Sequence, residues 1–297
     1  MSPAPGVVHL RNASKLLCRT LIRSRFTDQS GVRIHYLEHD LEVAGADTGG
    51  PVGTSEAPVV FVPGMTDTAE DYAEVLPLFG RRAVVPDLRG HGRSEAPPPG
   101  SSLIDHDLTA LCGDVGAVID AVTAGPVHLV TFSRGTSAAI AWALRYPDRV
   151  RSLAIGDYAP EERVVPDDAV RHLLNGRWRG TPVRERLDVP AARQMFRAAR
   201  NRSFWEALAR MRLPLLVVRS HHSALIDDQR WARYHRTFPT ARLIEFPDSP
   251  HDIFRPDRGR FPRLVRDHAD RADRAYHSFG VGLTGDDLPG HGAAVDR

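Results

Sequence analysis

The 297-residue chain has two cysteines, Cys18 and Cys112, and that scarcity removes whole classes of protein. No disulfide framework can be built from them and they lack metal-ligand spacing, so a small stapled scaffold is excluded and a reducing compartment is indicated. Lysine is rarer still: Lys15 is the single one among 39 basic residues, which 37 carboxylates offset to a formal net charge of +2. Arginines spread along the chain and balanced in this way form no basic stripe, which argues against nucleic-acid binding and for plain compositional bias. Long apolar runs are missing as well. No stretch approaches the roughly 18 apolar residues of a membrane span. The short run from Leu16 to Ile22 is broken by Arg19 and lacks the small-residue cleavage pattern of a secretory signal. The expectation is a soluble, cytoplasmic protein without a membrane partner. Metal clusters, phosphate-binding glycine loops and nucleotide fingerprints are also missing, so no cofactor is expected.

What the chain does have is bulk and rhythm. With 42% hydrophobic residues it can bury a sizeable core, in one large α/β domain or one domain with an inserted lid. Residues 1–25 show no clear periodicity and read as an N-terminal extension, whereas Val32, Ile34 and Tyr36 alternate as an edge strand should. The Gly-, Ala- and Pro-rich stretch from Ala44 to Pro58 reads as a loop. From there short apolar runs (59–62, 83–85, 127–131, 151–155, 213–218 and 241–246) alternate with amphipathic or helical stretches at 69–79, 104–122, 135–146, 227–238 and 261–269. This βαβ rhythm predicts an α/β fold: a mostly parallel central sheet with helices on both faces. Residues 160–212 carry helical but no strand patterns, so an all-helical cap over the carboxyl edge of the sheet is expected. The predicted layout is a first core part over 26–158, a cap over 159–212 and a second core part over 213–275. A disordered, glycine-rich tail over 276–297 completes it.

Four segments carry chemistry. Thr131-Phe132-Ser133-Arg134-Gly135 falls where a strand ends and a helix begins, the setting of a nucleophile elbow, although Thr131 stands where glycine is usual. Phe61-Val62-Pro63-Gly64-Met65 follows the first central strand, Pro86-Asp87-Leu88-Arg89-Gly90-His91-Gly92-Arg93-Ser94 the next, and Ser249-Pro250-His251 the last. In this order and spacing, from about residue 30 to 270, they resemble the α/β-hydrolase superfamily. The resemblance implies Ser133 as nucleophile and His251 as general base. It implies Met65 and Arg134 as backbone donors of an oxyanion hole. Gly64, Tyr158, Trp178 and His222 are the expected neighbours of a small-molecule substrate, His222 because it follows a strand at the sheet's active edge, where a solvated loop is the alternative. An aspartate at position 133 would have implied a dehalogenase or epoxide hydrolase.

Serine at its ordinary pKa is a poor nucleophile and needs a base that a third group orients. His251 fits the base better than His91, between two loop glycines, or His128, within a strand. The acid is less direct. Most of the resembling family places an aspartate after the strand at 213–218, but Arg219-Ser220-His221-His222-Ser223-Ala224 has none. Asp157, one strand earlier, is the favoured acid; Asp227 or Asp228 at the start of a helix, and a dyad with no acid, are the alternatives. Asp252 is badly placed to orient its own neighbour. The cap arginines, Arg163, Arg171, Arg177, Arg179, Arg184, Arg186, Arg193 and Arg197, either recognise an anion or form a solvated face, and Glu161, Glu162, Glu185 and Asp188 among them favour the latter. The leading expectation is hydrolysis of an ester, thioester or related acyl bond. A non-hydrolytic lyase or cyclase of natural-product biosynthesis and a non-catalytic binding member of the fold are the alternatives. Oligomeric state is not legible.

Overall fold

The computed structural model describes residues 21–40 and 56–280. Eight strands form one sheet in the order β1-β2-β4-β3-β5-β6-β11-β12. They are β1 (Leu21–Gln29), β2 (Val32–Asp40), β3 (Val59–Val62), β4 (Ala83–Pro86), β5 (Val127–Phe132), β6 (Val150–Gly156), β11 (Leu215–Ser220) and β12 (Arg242–Phe246). β1, β2 and β4 pair antiparallel, and every other pair is parallel. The main helices are α1 (Leu108–Val122), α2 (Gly135–Arg145), α6 (Asp228–Thr237) and α7 (Arg260–Gly280). Between β6 and β11 lie α3 (Asp167–Asn175), α4 (Val189–Ala198) and α5 (Trp205–Arg210). Two ribbons accompany them, β7 (Glu161–Glu162) with β10 (Arg202–Ser203) and β8 (Arg177–Trp178) with β9 (Thr181–Pro182).

The strands alternate between two cores, as a two-residue side-chain period requires. Val60, Val62, Leu129, Leu153, Ile155 and Val217 join Val118 and Ile119 of α1 and Ile140 and Trp142 of α2. Val59, Phe61, Val130, Phe132, Ala154 and Val218 join Phe79, Phe254 and, from α7, Phe261 and Val265. Chain direction across the sheet reverses at β3, which lies between β4 and β5. The connections after β3 and β5 therefore leave to opposite faces of the sheet, and the carboxyl edge at such a reversal is where an open α/β sheet binds ligands. A third apolar cluster, with Val170, Leu174, Val183, Leu187, Met195 and Phe196, joins the inserted helices to Met65.

Three expectations need correction. The edge strand is β1, and β2 lies inside it, so part of the supposed N-terminal extension belongs to the sheet. β1 exposes much of its surface and is correspondingly polar, but the Ser30-Gly31 turn, with φ of 52° and 80°, was a legible two-residue hairpin signal. The insert is not all-helical, because two ribbons of two-residue strands interrupt it. The last helix runs to Gly280, well past residue 275. The loop expected from residue 44 lies outside the described residues as far as residue 55, as do most of the N-terminal extension, including Leu16 and Arg19, and the tail from residue 281.

Helix α7 is fastened to the sheet by buried charge. His128 of β5 bonds Ser152 at 2.8 Å and lies 3.2 Å from Asp273, which also receives Arg81 at 2.6 Å. Despite its burial, these donors hold the Asp273 carboxyl down to about 2. Burial drives the nearby His268 imidazole down to about 4, and the charge of His128 adds to this. A histidine held below its unfolded value of about 6.5 lets the unfolded chain bind the proton first. Its stability contribution is therefore present above pH 6.5 and is lost as pH falls through about 4. Denaturant titrations should show roughly 3 kcal/mol lost across that window through this residue. A His268→Gln variant should lack that part of the slope; an unchanged slope would remove His268 as its source. Below it, Asp273 should add a second loss as pH falls from about 4 through about 2.

Candidate active site

The site begins with a backbone constraint. Ser133 follows β5 directly, with φ of 52°, a left-handed conformation that only surrounding structure can enforce on a non-glycine residue. Its N–H donates to the Gly156 carbonyl at 2.9 Å. Two residues on, a Cβ at Gly135 would lie 2.1 Å from the Pro63 carbonyl oxygen, so α2 starts in backbone contact with the loop after β3. A Cβ at Gly64 would lie 2.9 Å from the Ser133 Cβ. Thr131, at the position where glycine is usual, is fully buried, and its hydroxyl is accommodated by Thr136 at 2.9 Å. On the neighbouring strand Gly156 is also tightly placed: a Cβ there would lie 3.0 Å from the Thr131 carbonyl oxygen and 2.6 Å from Ile253.

The side chains of Ser133, His251 and Asp157 form one hydrogen-bonded line. His251 Nε2 is 2.9 Å from Ser133 Oγ, and its Nδ1 is 2.7 Å from Asp157 Oδ2. A carboxylate can only accept, so Nδ1 carries the proton, and the Nε2 lone pair is left to accept from the serine hydroxyl. Asp157 is fully buried at the end of β6 with φ of 49°. Its own N–H donates to the Val218 carbonyl at 2.7 Å, and its Oδ1 accepts the Ser220 N–H at 2.9 Å. The His251 ring stacks on Phe132 at 4.9 Å between centroids, with Trp178 at 6.2 Å.

Sequence reasoning missed Ser220. It ends β11, after which the resemblance led one to expect an aspartate. Its N–H holds the acid supplied by β6, and its hydroxyl donates to the Ser249 carbonyl at the base of the histidine loop. The signal was there, since the missing aspartate required some other donor or acceptor at that strand end.

The remaining candidates separate by their partners. Asp227 caps α6 by accepting the Arg230 N–H at 2.8 Å, exposed Asp228 pairs with Arg219, and Asp252 takes both arms of Arg179 at 2.7 and 2.9 Å. His91 is buried, with Nδ1 3.0 Å from the Arg89 carbonyl and Nε2 3.2 Å from Met65 Sδ. Burial pushes its pKa down, which keeps the ring neutral. His221 and His222 are exposed on the rim, their rings edge to face at 5.3 Å. Tyr158 is buried in the core; Arg163 covers its ring at 5.1 Å and its carbonyl accepts the Tyr234 hydroxyl at 2.7 Å. The Arg134 side chain turns to the Arg163 carbonyl and lies over Phe196. Several cap arginines are already engaged: Arg179 by Asp252, Arg186 by Asp71 and the Thr66 carbonyl, Arg177 by the Gly180 carbonyl. Among the described residues no helix is long and apolar enough to cross a membrane, and no group of His, Cys, Asp and Glu could hold a metal ion.

Comparison with known proteins agrees with this architecture. A sequence model of the α/β hydrolase fold family matches residues 57–177. The chain is 28% identical over 223 residues to a pimeloyl-[acyl-carrier protein] methyl ester esterase of Chromobacterium violaceum, covering 61% of this chain and 81% of that protein. It is 38% identical over 78 residues to epoxide hydrolase 2 of Siraitia grosvenorii, but that match spans only 26% of this chain and 24% of the relative. The crystal structure of E-2-(acetamidomethylene)succinate hydrolase superposes with a TM-score of 0.65 at 18% identity, over 84% of this chain and all of that one. With eight strands in one mostly parallel sheet and helices on both faces, the chain has the α/β-hydrolase fold, and over residues 57–177 its sequence matches the model of that fold family.

Proposed function

We propose that the protein is a cytoplasmic serine hydrolase that cleaves an ester, thioester or related acyl bond of a small molecule. The observation that carries this reading is the line Asp157–His251–Ser133, joined at 2.7 and 2.9 Å. Ser133 Oγ attacks the acyl carbon while its proton passes to His251 Nε2, and the carbonyl electrons move onto oxygen. The N–H groups of Met65 and Arg134 are the donors assigned to that oxyanion. Arg134 caps the start of α2, whose dipole favours negative charge there. Collapse of the tetrahedral species expels the alcohol or thiol, which takes its proton from His251. Water then attacks the acyl-enzyme, gives its proton to His251, and releases the acid and free Ser133. Asp157 keeps Nδ1 protonated and stabilises the imidazolium throughout. The reaction so written uses the chain's side chains and backbone alone.

Support for acyl chemistry over dehalogenation or epoxide opening comes from the residue at the elbow, a serine where those chemistries would call for an aspartate. The long match to a methyl ester esterase points the same way, whereas the epoxide hydrolase match covers about a quarter of either chain. Arg179 and Arg186, committed to ion pairs, are poor candidates for binding a substrate anion.

Intact-mass analysis after incubation with a fluorophosphonate tests the reading. One adduct per chain is expected, absent from Ser133→Ala and formed at least a hundredfold more slowly in Asp157→Asn, where the histidine loses its tautomer control. Unlabelled, folded wild type would overturn the nucleophile assignment. Ser220→Ala keeps the N–H that holds Asp157, and its labelling rate should fall by less than about tenfold. A loss as large as that of Asp157→Asn would mean that the Ser220 hydroxyl, through the Ser249 carbonyl, is what places His251.

A further inference from the structure

The loop that bears Met65 is a closed turn in an unfavourable conformation. The Asp67 N–H donates to the Gly64 carbonyl at 3.3 Å, and the Gly64 N–H donates back to Asp67 Oδ2 at 2.9 Å. Neither bond uses the Met65 N–H. The third residue, Thr66, has φ of 77°, a value that a turn of this kind reserves for glycine and that is a clear outlier for a β-branched residue. Such strain persists only where the surroundings over-determine it.

The surroundings here belong to the cap. Arg186 Nε donates to the Thr66 carbonyl at 2.7 Å, and its other arm pairs with Asp71. Trp178 Nε1 donates to the second oxygen of Asp67 at 2.6 Å. Trp178 stands beside the tip of the β8–β9 hairpin, where Arg179 and Gly180 have φ of 49° and 86°, the pattern of a two-residue primed turn. From that tip Arg179 reaches both oxygens of Asp252, the residue after His251. One cap hairpin thus touches the serine's oxyanion loop on one side and the histidine's loop on the other. Asp67 is fully buried, and burial raises its carboxyl against the pull of Arg179 and the Trp178 N–H.

We propose that Trp178 and Arg186 are positioning residues that hold the Gly64–Asp67 turn in its strained shape, so that the oxyanion hole is complete only while the cap is docked. This rests on the serine-hydrolase reading above and deepens it. The cap then contributes to the rate of the chemical step as well as to substrate selection. Neither side chain contacts the reacting atoms; each acts through the turn, where a displacement of about 1 Å suffices to cost on the order of a hundredfold in rate.

The test is fluorophosphonate labelling resolved into reversible binding and first-order bond formation, together with protection from labelling by phenylboronic acid, whose tetrahedral adduct needs the same hole. Trp178→Phe keeps an aromatic ring at the position and removes the N–H together with the five-membered part of the indole. Its first-order step should slow at least tenfold with reversible binding within twofold, boronate affinity should fall in proportion, and the thermal midpoint should stay near that of wild type. Arg186→Gln, which removes the ion pair and the contact to Thr66 independently, should give the same split, and Arg186→Lys should recover part of it. Should Trp178→Phe fail to fold, the Arg186 pair decides. Arg184→Ala, at an exposed position of the same cap, should change neither quantity. First-order rates within twofold of wild type, or a loss confined to reversible binding, would overturn the inference while leaving the nucleophile standing. Wild type that fails to label at Ser133 would overturn both.

Discussion

Gly135 and the Pro63 carbonyl approach so closely that a single methyl group would come within 2.1 Å, and everything at the carboxyl edge depends on that contact. It allows α2 to begin immediately above the loop after β3. It sets Ser133 in a left-handed conformation against the Gly156 strand and brings the Gly64 turn beside it. No side-chain interaction could substitute for this, because the distance between two backbones is set by what they do not carry. The demand for smallness does not stop at the elbow. Thr131 is tolerated with its hydroxyl taken by Thr136, and Gly156 on the neighbouring strand lies close against the Thr131 carbonyl.

From that edge the site draws on almost every strand end. β3 supplies the turn, β5 the serine and β6 the acid. β11 supplies the Ser220 donor, and the histidine loop follows β12. Parallel pairing delivers all of these ends to one side of the sheet, so the groups converge without a long loop having to reach for another. The placement of the acid after β6 is workable because β6 and β11 are neighbours. An aspartate on one can be held by a main-chain N–H on the other, and the histidine loop sees a carboxylate from either. The cap closes the arrangement through its hairpin and Arg186, and Arg177, Arg179 and Arg186 are occupied with the protein itself.

The mostly parallel sheet, the two-sided burial of its central strands and the candidates Ser133, His251 and Asp157 were legible because short-range pattern and chain order encode them. A run such as Val59–Val62 reads as a buried parallel strand wherever it occurs, and a serine between a strand and a glycine-started helix has few other settings. β1 escaped because an edge strand buries too little to need apolar residues, and the cap ribbons escaped because two residues carry no period. Tyr158, expected beside the substrate, is committed to the core by its ring and carbonyl, and His222 lies exposed on the rim. Strand-end residues share an edge by topology, but which way each side chain turns is set by neighbours distant in sequence.

By itself the sequence determined the α/β architecture, and it singled out the turn at Ser133, the loop at His251 and Asp157 ahead of acids that begin helices, from local periodicity, backbone sterics, chain order and family resemblance. Only the tertiary structure decided that Ser220 would hold that acid, that Thr131 would fit, and that the cap would clamp a strained turn through Trp178 and Arg186. Those outcomes rest on contacts between residues up to 120 positions apart. Such contacts depend on the packing of surfaces that no single segment encodes.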